Sequence, residues 1–204
     1  GKPLLILWSL RCLVDASGGE EAARGRVEAV RDAARRRGLP GAWVAGVIGP
    51  AEVPLLRALG LDGAVGYHYS GSGGAAIVSR RHGDRVLEDA VEDFPTQTVP
   101  GHGRLWRELA DGLGRDYLLA TTPMQNWEPT LRPRSLVVRG AHPDAYREML
   151  RRARAFVGER GLRPFVSVEA WNEWLEGSYV EPSTQWGFGW LEAIRDVFGE
   201  AEGR

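Results

Sequence analysis

Glu173 and Glu176 are two carboxylates three residues apart, with Trp171 and Trp174 beside them, Asn172 between and Gly177 just after. Positions i and i+3 lie on one side of a helical turn, so both carboxyls can face one substrate. Burial against the indoles, and the charge of one carboxylate on the other, are expected to raise one carboxyl pKa. A protonated acid beside an ionised base is what glycosidic bond cleavage requires. Flat indole faces suit the C–H surface of a pyranose, which makes Trp171 and Trp174 candidate sugar-binding residues. Asn172 is a third, as a hydrogen-bond partner for a hydroxyl or as a cap on the turn before Glu173. The plainer reading is two solvated acids opening a helix, where Glu suits the dipole. The tryptophans on both sides and the apolar run before them weigh against it.

That run, residues 164–168, reads as a buried strand feeding the acidic loop. Upstream, short apolar runs alternate with helical stretches. Residues 4–8, 42–48, 63–67, 117–121 and 165–168 read as strands. Residues 20–38, 51–59, 105–113, 143–161 and 188–198 read as helices, the fourth with Ala145, Met149, Ala153 and Val157 on one face. Residues 75–103 read as irregular and 122–134 as a long loop. Strands alternating with helices predict a parallel sheet, either an open doubly wound sheet or part of a (β/α)8 barrel. The polar and aromatic residues gather just after strands: Trp8, then Tyr67 and His68, then Trp127 and Glu128, then the 171–176 stretch. In a barrel such loops converge on one site. The prediction is therefore an α/β fold, a (β/α)8 TIM-type barrel. About 250 residues make a full barrel, so this chain would supply roughly its last five strands. Tyr67, His68, Trp127, Glu128 and Trp8 join the substrate-binding candidates.

Composition narrows the classes further. The 204 residues carry 26 basic and 27 acidic side chains, a net charge of −1, and are 43% hydrophobic. That balance argues against a nucleic-acid surface, and the basic run over residues 31–37 reads as a solvated helix face. No segment has the length of a membrane span. Cys12 is the single cysteine, so there is no disulfide framework, and the four histidines lack metal-ligand spacing. No glycine-rich phosphate fingerprint follows a strand. No metal and no cofactor are expected. Four of the eight tryptophans fall in the last 34 positions, a density typical of a carbohydrate cleft. The chain starts at Gly1 inside a strand-like segment, as expected of a piece of a longer polypeptide. Its compartment is open, the cytoplasm being the default expectation.

The stretch from Trp171 to Pro182, with residues 187–193 after it, resembles the C-terminal signature of the bacterial WbsX-like family. Its members come from polysaccharide gene clusters, go by the name of glycosyltransferases, and are similar to glycoside hydrolase family 99, the endo-α-mannosidases. Weaker similarities lie at residues 1–3 and 38–41. Another lies in the loop from Pro123 through Asn126, Trp127 and Glu128 to Arg134, where Glu128 stands in place of the usual Asp. The family's first strands have no counterpart here. The resemblance implies a (β/α)8 barrel in which Glu173 and Glu176 match the carboxylates of an E-W-x-E-G motif. It further implies retaining cleavage through the substrate 2-hydroxyl, with Glu173 as its base and Glu176 as general acid/base. Leu175 stands where the family's hydrolases carry His.

Three functions follow as expectations. The first is a retaining glycoside hydrolase for α-linked, mannose-like glycans or bacterial surface polysaccharide. The second is a glycosyltransferase, for which no D-x-D pair is present. The third is a catalytically silent glycan-binding module. A hydrolase with Glu173 as acid/base and its nucleophile on another strand would make Glu128 the first residue to test. The expected partners are a carbohydrate and the missing N-terminal part of the same barrel, not nucleic acid.

Overall fold

A computed structural model describes residues 1–67, 75–124 and 134–199. In chain order its elements are β1 (Leu4–Leu7), α1 (Leu10–Ser17), α2 (Glu20–Arg36), β2 (Trp43–Val47), α3 (Val53–Ala58), β3 (Gly63–Val65), β4 (Ala76–His82), β5 (Arg85–Asp93), α4 (Val99–Leu113), β6 (Tyr117–Thr121), β7 (Arg134–Arg139), α5 (Pro143–Glu159), β8 (Val166–Val168), β9 (Asn172–Glu173), β10 (Ser178–Tyr179) and α6 (Gly189–Phe198).

The five apolar runs form one parallel sheet in the order β1-β2-β3-β6-β8. Each strand is added on the same side of the one before. With right-handed crossovers, a single direction of winding puts the connecting helices on one face. A doubly wound sheet reverses direction at a switch point, and these five strands never do. The sheet is the five-strand arc of a (β/α)8-type barrel.

Period-two alternation divides its residues between two faces. Val44, Ala64, Tyr117 and Leu119 join the main core, packed with Leu10, Val27, Leu56, Trp106, Met149 and Trp190 of the helices. The residues one position away, Ala45, Val65 and Leu118, form a separate small cluster with Trp43 and Phe165 on the inner face. Gly63 pairs with Ala45 in this inner series. A Cβ at that position would collide with the Trp43 ring and the Asp116 carbonyl, so only glycine fits.

The helix face is well filled. On α5, Tyr146, Met149, Leu150 and Ala153 are buried, at the spacing of an amphipathic helix. They meet the α6 face of Trp190, Ala193 and Val197. His142 caps α5 by accepting from the Ala145 N–H at 3.3 Å, and Pro143 occupies the first helical position, where its missing N–H costs nothing. Trp106 donates its indole N–H to the Ala120 carbonyl at 3.0 Å, which lets a large ring sit at 2% exposure.

One expectation is corrected, and two elements, β7 and α1, went unpredicted. Residues 75–103 are not irregular: β4 and β5 form an antiparallel hairpin, and α4 begins at Val99. His82 pairs with Arg85 across a two-residue Gly83-Asp84 loop, with Gly83 at φ +58°, a sequence suited to a tight hairpin. The signal was masked because β4 is exposed or half-exposed throughout and shows no alternation. The Val-rich strand β7 starts where the long loop was expected to end, and pairs parallel to β5. Helix α1 was missed because only Leu10 on it is buried; local capping marks it instead, with Ser9 Oγ accepting from the Cys12 N–H and Gly18 at φ +85°. Among the described residues, no helix is long and apolar enough to cross a membrane.

Candidate active site

The inner face of the sheet ends, at the carboxyl ends of its strands, in a set of polar and aromatic side chains. Trp8 follows β1 directly, Tyr67 lies two residues past β3, Thr122 follows β6 and Glu169 follows β8. Alternation assigns all four to the inner series of Ile6, Val65, Ala120 and Ser167. They touch one another. The Trp8 and Tyr67 rings meet edge to face, with centroids 4.6 Å apart. Tyr67 hydrogen-bonds the Glu169 side chain, and Thr122 lies beside it.

Glu169 anchors the acidic loop. Its N–H donates to the Thr121 carbonyl at 2.9 Å, extending the β6–β8 ladder by one residue. The chain then leaves the sheet and returns. Val180 and Glu181 donate their N–H groups to the Ala170 and Trp171 carbonyls at 3.0–3.1 Å, closing the loop at its base. Inside it, β9 pairs antiparallel to β10, with Glu173 opposite Ser178 and Asn172 opposite Tyr179. The tip is a tight helical turn, Trp174–Glu176. Gly177 closes that turn at φ +62°, a conformation that costs glycine nothing. No side chain caps the turn, so the cap role weighed for Asn172 falls away.

The pair Glu173 and Glu176 thus brackets this turn. Glu173 is exposed and Glu176 half-buried. Both act electrostatically on the Tyr67 phenol, together with Glu169. Burial is the largest cause pushing the Tyr67 pKa up, and the charge on Glu169 comes next. The expectation that the tryptophans would bury the pair is corrected: Trp171 and Trp174 are 53% and 46% exposed. The desolvated carboxyl is Glu169 instead, 5% exposed. Burial pushes its pKa up to about 7, with the nearby Glu176 charge adding to the rise, against the hydrogen bonds from Ser178 and Tyr67.

Trp174 forms a fixed, open ring. It stacks on Tyr179 with centroids 3.8 Å apart and planes 22° from parallel. Its indole N–H donates to Glu181 Oε2 at 2.7 Å. One face is thus backed by an aromatic ring and the edge is tethered, a ready platform for a sugar ring. Trp8, 65% exposed, presents a further aromatic surface beside Tyr67.

Of the residues chosen from sequence, the fold brings Tyr67, Glu173 and Glu176 together, with Trp8 against Tyr67. Asn172, Trp171 and Trp174 share the loop of the two glutamates. His68, Trp127 and Glu128 lie outside the described residues. Glu169 was passed over, as was Ser178. A signal for Glu169 existed: it continues the inner alternation of Phe165 and Ser167 as the first polar residue past an apolar strand. Among the described residues no group of three or more His, Cys, Asp or Glu side chains is arranged to hold a metal ion.

The family described as "Glycosyltransferase WbsX" matches residues 2–194. A protein named "Uncharacterized protein WxcX", from two strains of Xanthomonas campestris pv. campestris, is 29% identical over 158 residues. That alignment covers 74% of this chain and 21% of the relative, so the chain spans about a fifth of the length of the curated relatives it matches. Among solved structures, the GH99 endo-alpha-mannosidase from Bacteroides thetaiotaomicron is similar over 98% of this chain and 54% of its own, at 14% identity and a TM-score of 0.45. With a family match that runs over nearly its whole length, the chain belongs to the WbsX family.

Proposed function

We propose that this chain carries the catalytic centre of a glycan-active enzyme: a retaining glycoside hydrolase for α-linked, mannose-like glycans or bacterial surface polysaccharide. One observation carries the reading. Two glutamates stand on a pinned turn at the carboxyl end of a barrel-type parallel sheet, beside an indole held open by Tyr179 and Glu181. Catalytic groups of such sheets come from that end, and the carboxyl pair with an aromatic platform suits glycoside cleavage.

In the proposed mechanism, Glu173 takes the proton of the substrate 2-hydroxyl. The freed oxygen attacks the anomeric carbon while Glu176 gives its proton to the departing glycosidic oxygen. The product of this step is a 1,2-anhydro sugar. Glu176, now ionised, takes a proton from water. The water oxygen attacks the anomeric carbon, the strained C–O bond opens, and Glu173 returns its proton to the 2-oxygen. Two inversions retain configuration. Trp171, Trp174, Asn172, Tyr67 and Trp8 are proposed to bind the sugar, with His68, Trp127 and Glu128 from the neighbouring loops.

Reducing-sugar release from α-mannan and bacterial polysaccharide oligosaccharides tests this, with Glu173→Gln and Glu176→Gln alongside. Each substitution should lower kcat by roughly a hundred- to ten-thousandfold. Release by none of the three proteins, with glycan binding kept in all, would replace the hydrolase by a binding module. Sugar transfer from an activated donor that depends on the same pair would establish a transferase, the activity in the family's name.

A further inference from the structure

Ser178 is fully buried, and its Oγ lies 2.9 Å from the carbonyl oxygen of Glu169 and 3.0 Å from Oε2 of the same residue. A hydroxyl has one proton and two lone pairs. The carbonyl oxygen and an ionised carboxylate can both only accept, and the single Ser178 proton cannot make a full hydrogen bond to each. Both contacts are full hydrogen bonds only when Glu169 Oε2 carries a proton and donates it to Ser178. We propose, resting on the hydrolase reading, that Glu169 is a positioning residue that works in its neutral form and locks the acidic loop to the sheet.

The lock has a defined reach. Ser178 is the ladder partner of Glu173 across β9 and β10, so the Glu169–Ser178 bond sets where Glu173 stands. Tyr67 ties the same carboxyl to the end of β3, and the Glu169 N–H bond to the Thr121 carbonyl ties its backbone to the end of β6. The titratable groups that face it are Tyr67, Glu176 and, from α5, the buried phenol of Tyr146; Glu173 acts on the same cluster through Tyr67. Loss of the Glu169 proton would remove one bond of the lock. It would also place a negative charge beside Glu176, opposing the ionisation that Glu176 undergoes when it gives its proton to the leaving oxygen, because like charges repel. The burial that pushes this carboxyl up to about 7 is what keeps the proton in place in weakly acidic solution.

The test uses the full-length protein with Glu169→Gln, Glu169→Ala and Ser178→Ala. Glutamine copies the shape and the donor of a neutral glutamic acid; alanine removes both. The first readout is the thermal midpoint between roughly pH 4.5 and 8.5. It should fall with rising pH in the wild type and lose that dependence in Glu169→Gln. The second is kcat and KM against pH on the oligosaccharide that the wild type cleaves. At pH 6, Glu169→Gln should stay within about tenfold of wild-type kcat, with its alkaline limb moved up by about one pH unit. Glu169→Ala and Ser178→Ala should lose kcat by about tenfold or more, with KM within about threefold. An unchanged midpoint profile in Glu169→Gln overturns the proposal. So does a folded Glu169→Gln protein as inactive as Glu169→Ala. A wild type that releases no sugar sinks the hydrolase reading instead, and the midpoint profile still decides on the neutral lock.

Discussion

Glu169 couples the site to folding. Its carboxyl binds a proton more tightly when folded, with a pKa of about 7 against 4.5. Below the unfolded value both states hold the proton, and the stabilising effect is fully present. As pH rises from there through the folded value, the unfolded chain gives up its proton first and stability falls. At 5% exposure screening is weak, and the shift corresponds to about 3 kcal/mol lost between roughly pH 4.5 and 7. Urea unfolding at those two pH values should show that loss in the wild type and little of it in Glu169→Gln. The indole of Trp174 invites a separate test, because its tether and its backing are different residues. Glu181→Gln weakens the tether while keeping an acceptor, whereas Tyr179→Ala removes the surface on which the ring rests. Both should weaken oligosaccharide binding, Tyr179→Ala by about tenfold, as read by calorimetry on a Glu176→Gln background where no turnover occurs.

At the scale of elements, the acidic turn depends on Gly177. Gly177→Ala puts a Cβ on a backbone at φ +62° and should cost about 1–2 kcal/mol. The strain falls in the turn that carries Glu176, so kcat should drop even in protein that remains folded by circular dichroism. The α5–α6 pair holds the sheet's last strand from outside. Trp190 is fully buried against Tyr146, with ring centroids 5.7 Å apart. Trp190→Ala should cost about 3–5 kcal/mol in chemical denaturation. Helix α5 was legible in the sequence because four core residues repeat at helical spacing. The hairpin of β4 and β5 was not, because Ile77 and Val86 stand 66% and 62% exposed on it, with Arg80, Arg81, Asp84 and Arg85 among the residues between.

At the scale of the whole molecule, the sheet is an arc with two edges among the described residues. On β1, Leu4, Leu5 and Ile6 are 45%, 38% and 41% exposed. Beyond β8, a cavity of about 430 Å³ is lined by Val157, Phe165, Val166, Val168, Ile194 and Phe198. Apolar, unpaired strand edges invite further pairing, and we propose that the remaining strands of the same barrel cover them. Residues 1–204 expressed alone should therefore self-associate. Sedimentation should show more monomer for Leu4→Ser/Ile6→Ser, which removes apolar surface from the exposed β1 edge. A monomeric wild-type 1–204 that is unaffected by this change would count against an open arc.

The sequence by itself determined the five-stranded parallel scaffold and the place of Glu173 and Glu176 after its last strand. Apolar runs of strand length, and an acidic aromatic motif following one of them, are local patterns that survive without tertiary contacts. Only the tertiary structure decided which carboxyl is buried. Burial depends on what packs from elsewhere: Tyr67, Thr122 and Ser178 come from three separate points of the chain to enclose Glu169, while the adjacent Trp171 and Trp174 leave Glu173 open to water. Proximity in sequence pointed to the tryptophans, whereas strand alternation and the return of the loop made Glu169 the desolvated acid.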